Sequence, residues 1–226
     1  MKVGTDGVLL GAWTDCRNDD RNVLDVGAGT GVIALIVAQN YSESGVPCKI
    51  KAIDIDADAV EEAEGNFAAS PWSGNLSCEH ITLQKLASDR AYESFFDLIV
   101  SNPPFFENSL KAPDNQRSLA RHNDSLPFSD LFSCAKILLK DEGRLSVILP
   151  YDALPQIRAI VVALRLKISR IETVRTTVRK EPKRVLMEFV KTERAVQTKN
   201  SELIIQSAGN YTEEYIYLTS GLYPKF

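Results

Sequence analysis

Short apolar runs alternate with amphipathic stretches of helical length along most of the chain. The runs are rich in β-branched residues and are bounded by polar residues, Gly or Pro, which is typical of strands buried on both faces of a parallel sheet. Strands that alternate with helices predict a doubly wound α/β fold. The four predicted strands are 23–26, 50–54, 96–100 and 145–149, and the predicted helices include 57–67, 130–139 and 154–166.

The pattern changes towards the C-terminus, where strand-like segments follow one another closely. Segments 168–176, 185–191 and 202–206 are separated by gaps too short for a crossover helix, so at least one antiparallel pair is expected. We therefore predict a mostly parallel sheet with an antiparallel strand near the C-terminus and an antiparallel edge. No repeat or linker interrupts the sequence, and we expect residues 1–226 to form a single domain.

Composition narrows the class of protein. Hydrophobic residues make up 44% and charged residues 25%, as in ordinary globular proteins. No run of 18 apolar residues exists and the start has no apolar h-region, so we expect neither a membrane span nor a secretory signal. The four cysteines and two histidines lack metal-ligand spacing, so we expect no metal, reduced thiols and a cytoplasmic protein.

Charge is distributed unevenly along the chain. The net charge is −4, yet segment 158–184 contains nine Lys or Arg and two Asp or Glu. This local excess of basic residues is compatible with a basic face on an acidic body, which would suit a nucleic-acid partner. A solvated helix and strand surface is the alternative interpretation.

A glycine-rich turn follows the first predicted strand. Asp25 opens it, and Gly27, Gly29 and Gly31 occupy alternate positions before a predicted helix. Glycine permits positive φ and lets a ligand touch the backbone, and the helix start offers free N–H groups. Dinucleotide binders place the third glycine one position later, at Val32 here. The turn instead resembles the first motif of Rossmann-like S-adenosylmethionine-dependent methyltransferases, which implies that these four residues bind that cofactor.

Asp54 ends the second predicted strand. In the class just named, an acid at this place binds the ribose hydroxyls, because a carboxylate can accept two hydrogen bonds from a vicinal diol. Asp56 or Asp58 is also expected to cap the following helix. A calcium loop is excluded, because its turn glycine would fall on Ala59 and its bidentate Glu on Gly65.

The tetrapeptide Asn102-Pro103-Pro104-Phe105 follows the fourth predicted strand. The prolines stop the strand and hold Asn102 at the carboxyl end of the sheet, where open α/β folds bind ligands. Two acceptors, the Asn102 side-chain oxygen and the Pro103 carbonyl, and the Phe105 ring suit a planar group that carries an –NH₂. A loop that merely caps the strand, with Phe105 in the core, is the alternative. The tetrapeptide resembles the NPPF/NPPY motif of amino methyltransferases, which implies that all four residues are catalytic.

The motif alone does not choose among adenine, guanine, cytosine and glutamine amino groups. Further stretches resemble the bacterial family that methylates N6 of an adenine beside the anticodon of a valine tRNA. They are 1–12, Arg117 with 120–122, 183–186 and 211–216. The resemblance implies S-adenosylmethionine as cofactor, tRNA as partner and a monomer or weak homodimer. The alternatives are an rRNA guanine-N2 methyltransferase, a protein glutamine methyltransferase and a non-catalytic RNA-binding module.

The same resemblance suggests further site residues, each with a local structural alternative. Thr5 and Asp6 either lie on the cofactor side or cap the helix that begins nearby. The candidate substrate-binding residues are Arg121, His122, Lys183 and Arg184. The alternative is that the first two cap a loop and the last two merely flank a strand turn. Tyr and Phe residues near the C-terminus are expected in the core.

Two departures from the family pattern stand out. Relatives usually carry a short stretch before segment 1–7, so a truncated start is one explanation for the beginning of this chain. After the third strand, where this class often places an acid near the cofactor's adenine, segment 83–86 reads Leu-Gln-Lys-Leu. We therefore assign no residue to the adenine.

Overall fold

The computed structural model describes residues 4–104 and 126–222. The strands in this part of the chain are β1 (Asn22–Val26), β2 (Lys49–Asp54), β3 (Leu76–His80), β4 (Phe96–Ser101), β5 (Leu139–Pro150), β6 (Lys167–Thr177), β7 (Arg184–Val190), β8 (Lys199–Ser207) and β9 (Asn210–Tyr211). The α-helices are α1 (Thr5–Trp13), α2 (Val32–Glu43), α3 (Ala57–Ala69), α4 (Leu83–Ser88), α5 (Phe128–Leu138), α6 (Leu154–Leu164) and α7 (Glu213–Leu218).

All nine strands join one sheet in the order β3-β2-β1-β4-β5-β7-β6-β8-β9. The first five strands in chain order pair with one another in parallel. Strand β7 lies between β5 and β6 and is antiparallel to both, whereas β8 is parallel to β6. The prediction of a mostly parallel sheet with a late antiparallel strand is confirmed. The long antiparallel strand β7 does not lie at the edge of the sheet, because it inserts between β5 and β6. The antiparallel edge strand is instead β9, which has two residues.

Helices cover both faces of the sheet, as in a doubly wound fold. One face packs against α1, α2, α3 and α7 through a cluster that includes Leu10, Val37 and Phe67. The other face packs against α4, α5 and α6 through a cluster that includes Leu86 and Phe132. Buried β-branched and Leu residues therefore fill the strands on both faces, as their continuous apolar runs predict.

The helix boundaries follow local backbone chemistry. Helix α6 ends at Leu164 rather than continuing to residue 166, because Arg165 adopts a left-handed φ of 57° as its C-cap. Helix α1 begins at Thr5 with Gly4 as N-cap and without a side-chain capping bond, so the expectation that Thr5 or Asp6 caps it is wrong. Its Gly11 lies against α2, where an added Cβ would come within 2.9 Å of Ile36.

Within residues 4–104 and 126–222, no helix combines the length and apolar character that crossing a bilayer requires. The four cysteines are free.

Candidate active site

The two glycine- and proline-containing motifs leave adjacent strands side by side. Val26 of β1 pairs with Ser101 of β4, so the next residues, Gly27 and Asn102, emerge together. The Ser101 hydroxyl donates a 2.9 Å hydrogen bond to the Val26 carbonyl across 75 positions of sequence. Both motifs therefore meet at the carboxyl edge, by which we mean the edge where β1, β2, β4 and β5 end. Open α/β sheets bind their ligands at this edge.

The glycine turn has the backbone that its sequence predicts. Gly27, Gly29 and Gly31 have φ values of 78°, 53° and 78°. A Cβ on Gly31 would lie 2.5 Å from a ring carbon of Phe67, whereas a Cβ on Gly27 would meet nothing within 4 Å. Gly31 is thus required for packing against α3, and Gly27 leaves its backbone open towards the cavity.

Asp25 lies beneath the turn rather than in the cavity lining. Its side chain is fully buried, and Oδ2 accepts a 3.1 Å hydrogen bond from the Ala34 N–H in the first turn of α2. Oδ1 has no hydrogen-bond partner in the described part of the chain. Burial, assisted by the negative charge of Asp54, raises the pKa of Asp25 to about 7. We infer that Asp25 positions the turn and the start of α2.

Asp54 lines the cavity at the end of β2. Its Oδ2 accepts a 2.9 Å hydrogen bond from the Gly29 N–H, and its Oδ1 accepts a 3.0 Å bond from the Asp56 N–H. The carboxylate is therefore held in place and still has lone pairs for a second acceptor role. Asp56 caps α3 by accepting from the Asp58 N–H at 3.0 Å, so the capping prediction is confirmed.

A cavity of about 360 Å³ lies over the ends of β1 to β4, within the usual range for small-molecule sites. It is lined mainly by backbone and apolar side chains, with Asp54 and Asn102 at different places along it. The lining residues are Val26, Gly27, Gly29, Ile53, Asp54, Ile55, Ile81, Thr82, Leu83, Gln84, Ser101, Asn102, Pro103, Pro104 and Leu126. Residues 55, 81, 82 and 126 were missed by sequence reasoning, and residues 83 and 84 of α4 were given no role, because single apolar or neutral residues carry no chemical signature.

The part of the cavity beyond β3 is neutral. Thr82 caps α4, its hydroxyl accepting from the Lys85 N–H at 3.2 Å. The amide nitrogen of Gln84 donates a 3.1 Å hydrogen bond to Asp130, which fixes the orientation of that amide. Segment 83–86 contains no acid, and the polar side chains that it and Thr82 bring to the cavity wall, Gln84 and Thr82, are both uncharged.

Asn102 presents an unused acceptor at the cavity. Its Oδ1 is buried and has no hydrogen-bond partner among the described residues. Pro103 is buried and Pro104 is exposed, and both line the cavity with Asn102. An unpaired buried acceptor is costly, and this oxygen has its lone pairs free to accept a hydrogen bond from a ligand. Phe105, Arg121 and His122 lie outside the described residues.

The remaining candidate residues lie apart from this cavity. Asp6 accepts a 2.8 Å hydrogen bond from Nε of Arg184, which ties the start of α1 to the start of β7. Thr5 is exposed, and neither it nor Asp6 belongs to the lining, so their cofactor role stays a prediction. Lys183 is exposed at the turn that precedes β7.

The metal-ligating and thiol side chains of residues 4–104 and 126–222 lie apart from one another or are buried. No group of three or more His, Cys, Asp or Glu side chains there could hold a metal ion. Burial raises the pKa of Cys16, Cys48 and Cys78 to about 12, so these thiols stay protonated near neutral pH.

Comparison with known proteins agrees with the geometry. The sequence model of the methyltransferase small domain matches residues 7–177. A tRNA1(Val) (adenine(37)-N6)-methyltransferase of Phocaeicola vulgatus is 45% identical, over 99% of this chain and 91% of the relative. One of the same name from Flavobacterium psychrophilum is 42% identical, over 100% of this chain and 93% of the relative.

Among solved structures, a protein from Agrobacterium tumefaciens described as a predicted O-methyltransferase has a TM-score of 0.72 at 17% identity, with 96% of each chain covered. This likeness confirms the Rossmann-like methyltransferase fold. The family match and the full-length relatives establish membership, and the chain belongs to the methyltransferase small domain family and, within it, to the tRNA1(Val) (adenine(37)-N6)-methyltransferases.

Proposed function

We propose that this enzyme transfers a methyl group from S-adenosylmethionine to N6 of an adenine in the anticodon loop of a valine tRNA. The observation that carries the proposal is the pairing of Val26 with Ser101, which sets Gly27 and Asn102 beside each other at one cavity. The relatives that span the whole chain carry this activity in their names.

The cofactor side of the cavity is formed by the glycine turn and Asp54. The Gly27 and Gly29 backbone allows close approach, and the fixed Asp54 carboxylate suits the two ribose hydroxyls. When bound, S-adenosylmethionine supplies an electrophilic methyl group. Asp54 at the end of β2 and the loop after β3 would hold the adenosine end of the cofactor, and the methyl group would be supplied on the side of β1 where β4 ends in Asn102.

The substrate side is formed by the Asn-Pro corner. The amine of adenine is a poor nucleophile, because its lone pair is delocalised into the ring. Hydrogen bonds from its two N–H groups to Asn102 Oδ1 and the Pro103 carbonyl favour a pyramidal nitrogen whose lone pair is available. Holding the amine in line with the methyl group supplies the remaining catalysis. Formation of the N–C bond is balanced by cleavage of the methyl–sulfur bond, and the extra N–H proton then passes to solvent water, so no strong base is required.

The RNA must present its adenine outside the stacked loop to reach this corner. Stacking of that base on Phe105 and phosphate contacts by Arg121, His122 and Lys183 are parts of the proposal. The guanidinium of Arg184 donates a hydrogen bond to Asp6. Arg184 would therefore assist RNA binding both by contacting phosphate and by holding α1 in place. We place the enzyme in the cytoplasm, as a monomer or weak homodimer, and its free cysteines agree with a reducing compartment.

The test is methyl transfer from labelled S-adenosylmethionine to an unmodified valine tRNA transcript. Label is expected in this transcript and not in a copy whose anticodon-loop adenine 37 is replaced by guanine. Label that appears only in rRNA, or only in a protein substrate, would overturn the tRNA assignment in favour of the guanine or glutamine alternatives. Failure to bind S-adenosylmethionine would favour the non-catalytic module.

Asn102→Ala tests the role of the corner. We expect cofactor affinity by calorimetry to stay within about twofold, because Asn102 faces the amine, and kcat to fall by about 100-fold, as for loss of one preorganised hydrogen-bond partner. Asn200→Ala, at an exposed site on β8, is the control and should retain full kcat. Near wild-type turnover by Asn102→Ala would show that the amine is held elsewhere.

A further inference from the structure

The fold divides the basic segment 158–184 between two edges of the sheet. Strand β6 runs in the same direction as β5, because both are antiparallel to β7. Lys167 and the preceding Arg165 therefore lie at the amino edge, opposite the active site, whereas the turn between β6 and β7 lies at the carboxyl edge. We call residues 178–183 the basic turn.

Several cations of this segment are already engaged within the protein. Arg170 lies 3.9 Å over the Trp13 ring, Arg175 bonds Glu202 at 2.6 Å, and Arg184 bonds Asp6 at 2.8 Å. In the described part of the chain, the side chains of Arg179, Lys180 and Lys183 are exposed and form no ion pair. Their charges are available to a partner.

The backbone of the basic turn is held firmly. The Lys180 carbonyl accepts a 2.8 Å hydrogen bond from Arg175, and the Lys183 carbonyl accepts a 3.1 Å bond from the Tyr151 N–H. Tyr151 follows β5 directly, and its side chain is 38% exposed. Because β5 is the neighbour of β4, Tyr151 lies between the Asn102 corner and the basic turn along the carboxyl edge.

We propose that Tyr151 and the basic turn form the RNA-docking surface of the enzyme, with Arg179, Lys180 and Lys183 binding phosphates and Tyr151 stacking on a nucleotide beside the target adenine. The inference rests on the proposed function. An aromatic ring next to a cationic track is the combination that binds unstacked RNA. Two exposed acids belong to the same region, Asp152 next to Tyr151 and Glu181 within the basic turn, and the three cations outnumber them.

The experiment compares two triple variants with the same change in charge. One is Arg179→Gln/Lys180→Gln/Lys183→Gln, and the control at the amino edge is Arg165→Gln/Lys167→Gln/Lys199→Gln. Binding of a valine tRNA transcript is measured at several salt concentrations in the presence of S-adenosylhomocysteine. The basic-turn variant should bind about 10- to 100-fold more weakly, and its slope of log affinity against log salt should be shallower by about 2 to 3, since each phosphate contact contributes about 0.7 to 0.9.

The control should keep the wild-type slope and the wild-type kcat, and both variants should keep cofactor affinity. Equal losses in both variants, or an unchanged slope in the basic-turn variant, would overturn the docking surface. Methylation by the wild-type enzyme is scored separately, so failure of the proposed function would appear there and not in these slopes. A basic turn that binds an acidic protein instead would leave tRNA binding intact.

Tyr151 is tested by a conservative pair of variants. Tyr151→Phe should bind the transcript as the wild type does, because the ring is retained. Tyr151→Ala should bind about tenfold more weakly with an unchanged salt slope, as expected for lost stacking rather than lost phosphate contact. Equal affinity of the two variants would remove Tyr151 from the surface.

Discussion

At the residue scale, the site depends on a carboxyl group that never reaches the cavity. Asp25 links the end of β1 to the start of α2, and only one of its two oxygens is paired among the described residues. Such a group is costly to ionise in the folded protein. Asp25 contributes by fixing the glycine turn, because its Oδ2 accepts a hydrogen bond from the Ala34 N–H in the first turn of α2.

The raised pKa of Asp25 has a definite effect on stability. Its folded pKa of about 7 exceeds the ordinary aspartate value of 3.8, so the stability contributed by the protonated form is complete below about pH 4 and is lost as pH rises through 7. Asp25→Asn keeps the acceptor and removes the titration. From pH 5 to pH 8 the wild type should therefore lose about 1 to 3 kcal/mol more unfolding free energy than the variant. Urea unfolding at both pH values measures this, and parallel pH profiles would contradict it.

Gly31 is the second residue whose identity the site requires. Alanine there would combine a positive φ with a Cβ only 2.5 Å from Phe67, so Gly31→Ala should cost about 1 to 3 kcal/mol and weaken cofactor binding. Gly65→Ala is the matched control. Gly65 lies in α3, the helix that contains Phe67, and an added Cβ there would have nothing within 4 Å. The control should gain about 0.5 to 1 kcal/mol. Thermal unfolding of both variants provides the comparison, and a neutral Gly31→Ala would show that the turn is not strained.

At the scale of elements, a buried ionic network joins the parallel and antiparallel parts of the sheet. Arg144 of β5 makes two hydrogen bonds to Asp20, at 2.8 and 3.0 Å, and its Nε lies 3.7 Å from Glu188 of β7. Tyr41 of α2 also donates to Asp20. The network lies away from the cofactor cavity and fixes the loop that precedes β1.

Removing the cation from this network should be costly. Arg144→Met would leave the buried carboxylate of Asp20 without its cation and Glu188 with only the more distant Arg170, at 3.9 Å, and we expect a loss of about 3 to 5 kcal/mol. Lys140 is on β5, as Arg144 is, and forms a more exposed ion pair with Asp97 of β4. Lys140→Met should therefore cost at most about 1 kcal/mol. Chemical denaturation distinguishes the two, and equal losses would indicate that the Arg144 network is not the main link.

At the scale of the whole molecule, ligand binding should be visible as global stability, because the cavity is built from four strands and the loops between them. At a concentration one hundred times Kd, a ligand that binds only the folded state adds about 2.7 kcal/mol. For a chain of this length that corresponds to a rise in Tm of about 5 to 10 °C. S-adenosylhomocysteine should produce this rise in a thermal scan, whereas NADH should not. A comparable shift with NADH would favour a dinucleotide site.

Sequence reasoning was strongest where a local pattern had one physical explanation. Alternation of apolar runs and amphipathic segments placed β1, β2, β4 and β5, and turn chemistry placed the left-handed glycines. It was weaker at the C-terminus, where Tyr215 is buried as expected but Tyr217 is 85% exposed. A tyrosine tolerates either environment, so its type alone does not decide burial.

What the sequence by itself determined was the fold class, the glycine turn, the Asn-Pro corner and the family to which they belong, because each depends on residues close together in the chain. Tertiary structure alone decided which side chains meet across long distances. It placed β7 inside the sheet, directed Arg184 to Asp6 and left the cations of the basic turn exposed at the same edge of the sheet as the active site. These outcomes depend on strand order and on competition among several carboxylates for each cation, and neither is encoded in any short segment.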